Sequence, residues 1–414
     1  MRIFILESKQ LMKARTTWVL LALALALSLL LAWMPSMYCY SSYTDGEGNE
    51  IILTGLASHA YEKAAQADAA GAVTAQRVRE AVEKYRACLA RYGVKESYDL
   101  PGGVYEREIL PYAPLLHGVK EAFADPNTGM APSLMEIDLE RLDNFYAVCE
   151  ERVASLMRME QPGHPAAQEK AIEMYRQVEK PFEVYPGFNS VVMDYQNILA
   201  FLVLLFCVVI AAPAFSGGYQ SGADDILRCT RHGRARLGVA RAAAALCVSG
   251  AAFLLCSAVY VLASNALFGW ERTGTSIQMV YSIATLVQMT AGELQWFFVL
   301  AGLLSVLASV SFTVFLSSRC RTTVASLTAA LVVCIAPVVV CMAVPGEASD
   351  WLCAFLPASG VSIQASILYA ITDFRFLDLG GFAVWVPYAM IAAGLVEIPL
   401  FFFLAVRAYC RHTV

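Results

Sequence analysis

Residues 219–241 read YQSGADDILRCTRHGRARLGVAR, a polar stretch with five arginines set between two long apolar segments. Ser221 followed three residues later by Asp224 has the form of a capping box. Asp224 and Asp225 then fall in a first helical turn, and Arg228 and Arg231 near its end, an order that complements the helix dipole. Asp224 and Arg228 also form an i,i+4 pair with the acid leading, the better orientation. Gly233 is placed to supply a left-handed stop. The pattern predicts a helix over 222–232 of about three turns, roughly 15 Å long, at a membrane surface. A basic loop obeying the positive-inside rule accounts for the arginines. It does not account for caps and ordered charge where a short turn would serve.

Working outward, the chain is too apolar for a soluble protein of its size. Of its 414 residues 58% are hydrophobic, and mean hydropathy is +0.55. Apolar runs near the length of a bilayer crossing point to a polytopic membrane protein. Charge is uneven: residues 36–195 hold 15 Lys/Arg and 25 Asp/Glu, a net of −10, against −5 for the whole chain. That segment reads as an acidic, water-soluble domain and the rest as a membrane body with basic loops. Nothing basic enough to hold nucleic acid stands out. The chain has no P-loop, no H-E-x-x-H, no G-x-S-x-G and no dinucleotide fingerprint. No catalytic residue, cofactor site or metal site is therefore assigned. Where ATP and Mg are used, they belong to another chain.

The expected fold is all-α. Residues 1–15 read either as an amphipathic helix lying in the inner interface or as a bare positive flank that sets orientation. Span one covers 16–35. A signal peptide is the competing reading, but the run is long and Trp33, Met34 and Pro35 offer no small-residue cleavage site, so we read a retained anchor. Residues 36–195 form an outer domain with helices near 54–70, 72–92, 104–124, 132–160 and 166–180. Cys88 and Cys149 are candidates for a disulfide if the compartment is oxidising. His59, His117 and His164 do not group with acids at metal spacing and read as ordinary solvated or capping histidines. The membrane domain is 196–414, with spans at 196–215, 242–264, 293–316, 323–345 and 383–406. Residues 216–241 form the loop between spans two and three. Residues 270–291 read as an outer loop with an interfacial helix, and 346–382 as short helices dipping into the outer leaflet before span six. Lysines and arginines gather at the N-terminus, the 216–241 loop, the turn at Arg319 and Arg321, and the C-terminus. Both termini are then cytoplasmic and 36–195 lies outside, in a plasma membrane.

The pattern Phe215, Tyr219, Gly222, Leu227, Thr230, Arg231, Gly233, Arg234, Arg241 resembles the first cytoplasmic loop of ABC-2 type transporter permeases. So do Ser276-Ile277-Gln278 before a long apolar span and Leu316-Ser317-Ser318-Arg319 after it. Two departures stand out: the family often has an acid where this chain has Gly218, and a lysine where it has Arg241. The resemblance implies a coupling helix that docks on a separate ABC ATPase subunit, a connecting helix before span one, and re-entrant helices before span six. It further implies a second permease copy or sister permease beside this chain in the lipid bilayer. Partner-binding residues under that reading are Gly222, Asp224, Asp225, Leu227, Arg228, Arg231, Gly233 and Arg234. The implied function is the permease half of an exporter of a peptide, lipid or drug-like substrate.

Glu397 lies within span six, two residues before Pro399. Intramembrane acids are functional candidates, and the plainer reading is a protonated acid bonding backbone freed by the proline. A non-transporting sensor, relaying ligand binding at the outer domain to a cytoplasmic partner, uses the same loop. A membrane enzyme is the weakest class, because no acids, histidines or nucleophile converge near one membrane face.

Overall fold

The computed structural model describes residues 2–45, 49–230, 233–344 and 346–412. Among them, six helices are long and apolar enough to cross a membrane: Arg15–Tyr38, Val191–Ser221, Ala235–Phe268, Ala291–Arg319, Thr323–Ala343 and Val386–Arg411. We number these spans one to six. The protein is an all-α polytopic membrane protein, with strands confined to three two-stranded pairs among the described residues. Spans two, three and four form the centre, and spans one, five and six leave most of their apolar surface outward. Lipid tails are as apolar as the side chains, so close packing must come from small residues that let backbones approach. Span three buries Ala242, Ala244, Ala245, Gly250 and Ala252 for this purpose. Gly360 illustrates how tight the fit is. A Cβ there would lie 2.0 Å from Ser305 Oγ and 3.1 Å from Ser305 Cβ of span four, so a larger residue would force the Ser305 hydroxyl to turn away and the two elements to give.

The N-terminal residues form a connecting helix, Arg2–Lys13, packed against span three. Between spans one and two stands a head domain that is only partly helical. Tyr40–Thr44 pairs antiparallel with Glu50–Thr54, placing Ser42 opposite Ile52. Tyr, Thr and Ile at these positions favour strand over helix. Helix Ala75–Tyr92 starts on the Thr74 cap and ends on left-handed Gly93. The helical run expected over 132–160 is broken at Asn144 into Leu139–Asp143 and Phe145–Glu160. The 104–124 run is broken around Pro111. Cys88 and Cys149 are separate, buried thiols, so the candidate disulfide is not formed.

The segment expected to hold an interfacial helix between spans three and four holds only tight turns, Glu271–Gly274 and Ile277–Met279. Irregular backbone needs hydrogen-bond partners from elsewhere, and the head supplies them. Ser276 N–H donates to Glu183 O, Glu183 N–H donates to Ser276 Oγ, and Tyr175 Oη donates to Ile283 O at 2.9 Å. Tyr185 N–H and carbonyl both bond Thr275 Oγ1. The head is thus seated on this loop.

Arg272 in the same loop is fully buried. Its guanidinium donates to Gly269 O, Ser264 O and Asn265 Oδ1 at the C-terminal end of span three, between the Phe188 and Phe268 rings. A cation satisfying the last carbonyls of a helix complements its dipole, while burial lowers the guanidinium pKa to about 10. Asn265 Nδ2 passes the chain of bonds on to Gln295 Oε1 of span four, and Gln196 of span two donates to Gln295 O. The spans therefore share a polar seam near the head, which the sequence reading did not foresee.

The 346–382 segment contains short helices Glu347–Ala354 and Ile367–Thr372, and a hairpin pairing Phe376–Asp378 with Ala383–Trp385. Arg375 ties it together, 3.3 Å from Asp350 and 2.9 Å from Asp373. The head reaches it too. Gln161 Nε2 donates to Phe374 O, and His164 lies between Glu347 and Asp378, with Nδ1 2.5 Å from Asp378 Oδ2. His164 stands at the N-cap of the helix Pro165–Arg176, one of the two ordinary roles expected, and its side chain also pairs with carboxylates.

Candidate functional site: the loop between spans two and three

Span two is interrupted at Ala212 and continues as a helix, Pro213–Ser221. Proline has no N–H and disrupts the bonding of the preceding turn. Ser317 of span four repairs it: its Oγ donates to Ala212 O at 2.6 Å and accepts from Phe215 N–H and Ser216 N–H. That gives the Leu316–Arg319 motif a structural purpose.

Gly222 then takes the left-handed conformation, φ +69°, and separates this helix from a six-residue one, Ala223–Arg228. The three-turn helix expected over 222–232 is thus less than two turns long. The expected capping box does not form, because Ser221 Oγ bonds back to Gly217 O and Gly218 O. Gly233 is not left-handed among the residues with positive φ. It is needed for another reason: a Cβ there would lie 1.7 Å from Leu227 O.

Asp224 is 1% exposed. Its Oδ2 accepts from Arg228 Nε at 2.8 Å, the i,i+4 pair expected, and its Oδ1 accepts from Arg241 Nη1 of span three at 2.8 Å. Tyr409 Oη near the end of span six lies 3.1 Å from both Asp224 Oδ1 and Gly233 O. Arg228 stacks over the Tyr409 ring at 4.6 Å and donates to the carbonyls of Tyr409 and His412. Arg241 Nε reaches Glu7 Oε2 of the connecting helix at 3.4 Å. One short helix is thereby tied to the connecting helix, span three and span six through a single buried carboxylate. Gly218 and Arg241, the positions that depart from the family pattern, meet here. A Cβ on Gly218 would lie 3.3 Å from Asp224 Oδ1 and 3.4 Å from Arg241 Nη1, so Asp224 supplies the carboxylate at that point.

Of the expected partner-binding residues, Gly222, Asp225 and Arg234 are exposed, Leu227 and Arg228 are half-buried, and Asp224 and Gly233 are buried. Asp224 faces inward and is not placed to touch a partner. Arg231 lies outside the described residues. The outward face is Ala223, Asp225, Ile226, Cys229 and Thr230, with Ile226 75% exposed. Ile226, Tyr409 and Glu7 were missed. An apolar residue inside a charged loop was a signal for Ile226. Tyr409 and Glu7 are distant in sequence and gave none. A cleft of about 380 Å³, lined in part by Glu7, Leu11, Pro213, Leu227 and Arg241, separates the connecting helix from this loop.

Glu397 is half-buried on span six, with no hydrogen-bond or ion-pair partner among the described residues.

No curated protein matches the chain. Residues 1–409 match the family described as ABC-2 family transporter protein, so the match takes in the connecting helix, the head, the loop just described and all six spans. The chain belongs to the ABC-2 transporter family and is a permease subunit of an ABC transporter.

Proposed function

We propose that this permease exports a peptide, lipid or drug-like substrate and is driven by a separate ATPase that docks on the loop between spans two and three. The observation that carries this reading is the division of the short helix into two faces. Asp225 and Ile226 face outward, while Asp224 on the other side is ion-paired to Arg228 and Arg241. A load on the outward face passes through charge-assisted bonds, which are short and about twice as strong as neutral ones, into spans three and six. Closure of the ATPase subunits would then tilt those spans and open the path to the other side. Two such chains, identical or sister, line the path in the plasma membrane, with the basic end cytoplasmic and the head outside.

Replacing Ile226 with Asp tests the docking. The side chain is exposed and makes no packing contact that its loss would damage. The expected result is normal membrane level and thermal stability, with ATPase copurification and ATP-dependent transport both lost. Copurification and transport at the unmodified level would overturn the docking assignment. Retained copurification with no transport by the unmodified complex would favour a sensor.

A further inference from the structure

A groove of about 790 Å³ opens between the loop that follows span three and the first turns of span four. Glu293, Trp296, Phe297 and Leu300 line it from span four. These four follow the i, i+3, i+4, i+7 spacing of one helix stripe. Along that stripe a carboxylate comes first, where the span begins, and apolar side chains follow over roughly 10 Å of helix. Trp270 and Gln288 line the facing wall. Trp270, Trp296 and Leu300 are exposed, so the groove is open to lipid. Among the described residues, Glu293 is the one ionisable side chain that lines it. Its Oε2 accepts from Thr290 N–H at 2.8 Å to close the capping box of span four. That bond uses one of about four acceptor positions on a carboxylate. Arg272 stands behind Asn265, fully buried and bonded to the carbonyls of Gly269 and Ser264, and does not line the groove.

Exposed tryptophans are common where a helix meets the bilayer surface. Here two of them share a groove with an acid, and that combination selects a headgroup. An acidic headgroup meets Glu293 with no lining cation to receive it. A free amine uses the carboxylate but gains nothing from Phe297 and Leu300. A lipid whose headgroup ends in a primary ammonium uses both. Its N–H groups donate charge-assisted bonds to the carboxylate, and its charge is drawn to the indole faces. Its phosphate finds donors in the indole N–H groups and the Gln288 amide. A choline headgroup carries the same charge but has no N–H to donate.

We propose that this groove binds one phosphatidylethanolamine. Its ammonium lies against Glu293, and an acyl chain runs along Trp296, Phe297 and Leu300. The lipid joins span four to the loop on which the head is seated through Ser276 and Thr275. Occupancy therefore steadies the seat of the head.

The test uses the purified full chain in mild detergent, titrated with phosphatidylethanolamine, phosphatidylcholine, phosphatidylglycerol or free phosphoethanolamine, and read by thermal unfolding and native mass spectrometry. Phosphatidylethanolamine should raise the melting temperature and leave one retained lipid per chain, and the other three probes should do neither. Glu293→Gln keeps a side chain that can close the capping box. It should weaken phosphatidylethanolamine retention by at least about tenfold, the loss of roughly one charge-assisted contact. Glu140→Gln, which replaces an exposed acid on the head, should not. Leu300→Trp keeps the carboxylate and fills the apolar end of the groove from an exposed position, so it should weaken retention as well. It decides the matter if Glu293→Gln fails to fold. Equal protection by phosphatidylcholine or phosphatidylglycerol, or unchanged retention in both groove variants, overturns the proposal. Protection by phosphoethanolamine alone also overturns it, since the groove would then hold a free headgroup and not a lipid.

Discussion

Asp224 Oδ1 lies 2.8 Å from Arg241 Nη1, and this bond joins a six-residue helix to the first turns of span three. Both side chains are removed from water, Asp224 to 1% and Arg241 to 8% of their exposed area. A buried pair is costly to desolvate and adds little net stability over apolar residues of the same shape. Its value here is geometric. The carboxylate serves two guanidiniums and a phenol at once, so it fixes where the loop stands relative to the connecting helix, span three and span six.

Removing one side of the pair should therefore cost far more than removing both. Asp224→Ala leaves Arg241 with Glu7 alone and should destabilise the protein by about 3 kcal/mol, the low end for a broken buried pair. Asp224→Ala with Arg241→Met should recover most of that loss. Asp225→Ala, one residue away but exposed, should stay within about 0.5 kcal/mol of the unmodified protein. Thermal unfolding of the four proteins in detergent measures this. A loss in the double variant at least as large as that of Asp224→Ala alone would show that the pair does not hold the loop.

The head's tie to the 346–382 segment should depend on pH. His164 has a carboxylate at each ring nitrogen, and only an imidazolium can donate from both. The hydrogen bond to Asp378, followed by the charge of Glu347, raises its pKa above the ordinary histidine value. The same contact lowers the pKa of Asp378. A raised histidine pKa means that the native state binds the proton more tightly. The stabilisation is complete below about pH 6.5 and is lost as pH rises through the higher native value. At the acid end it is lost as pH falls through the depressed pKa of Asp378. His59 opposes this trend, because burial against Phe268 lowers its pKa and disfavours the charged form in acid. The measurement is the melting-temperature difference between the unmodified protein and His164→Gln. It should be largest near about pH 5.5 and shrink towards about pH 8.5. A difference that does not vary with pH would remove the ion pair from the account.

Run length and charge made the six spans legible, since a bilayer sets the length of an apolar helix whatever its neighbours. The Asp224–Arg228 pair was legible because both ends lie on one short helix. Of the loop's glycines, the sequence pattern assigns the left-handed position to Gly233, and the structure moves it to Gly222. Gly222 takes the left-handed turn and Gly233 permits the close approach to Leu227 O, and either need selects glycine. Tyr409 and Glu7 reach the site from near opposite ends of the chain, so no local pattern marks them. The seat of the head was hidden for the same reason, as Ser276 and Thr275 look like ordinary loop residues until Glu183 and Tyr185 meet them. Nothing local to Arg272 marks its task either, which is to cap the end of span three.

That cap gives a sharp substitution test. Arg272→Lys keeps the charge but replaces a planar fork carrying three hydrogen bonds with a single ammonium group. Losing charge-assisted bonds to buried carbonyls should cost about 1.5–3 kcal/mol. Arg272→Met, which also leaves the carbonyls of span three unpaired, should cost more. If both variants melt with the unmodified protein, the arginine is not holding the end of span three.

Orientation can be read from a cysteine the protein already has. Cys229 is exposed on the outward face of the loop between spans two and three, and Lys120 is exposed on the head. Cys247 is exposed as well but lies within span three, where a charged aqueous reagent does not enter. With the basic end cytoplasmic, a membrane-impermeant maleimide applied to intact cells should label Lys120→Cys and leave Cys229 untouched. With Cys320 and Cys410, half-buried at the same end, replaced by Ser, permeabilised cells should then gain a second site of labelling. Cys229→Ser, added to that protein carrying Lys120→Cys, should abolish the gain on permeabilisation and keep the surface signal. The charge rule gives this orientation strong support, because the 216–241 loop holds five arginines and the short loops near the head only Arg272 and Arg375. Both of those are committed, one to the carbonyls of span three and the other to Asp350 and Asp373. They therefore exert little pull on topology. Labelling of Cys229 in intact cells would invert the molecule and, with it, place the coupling loop out of reach of any cytoplasmic ATPase.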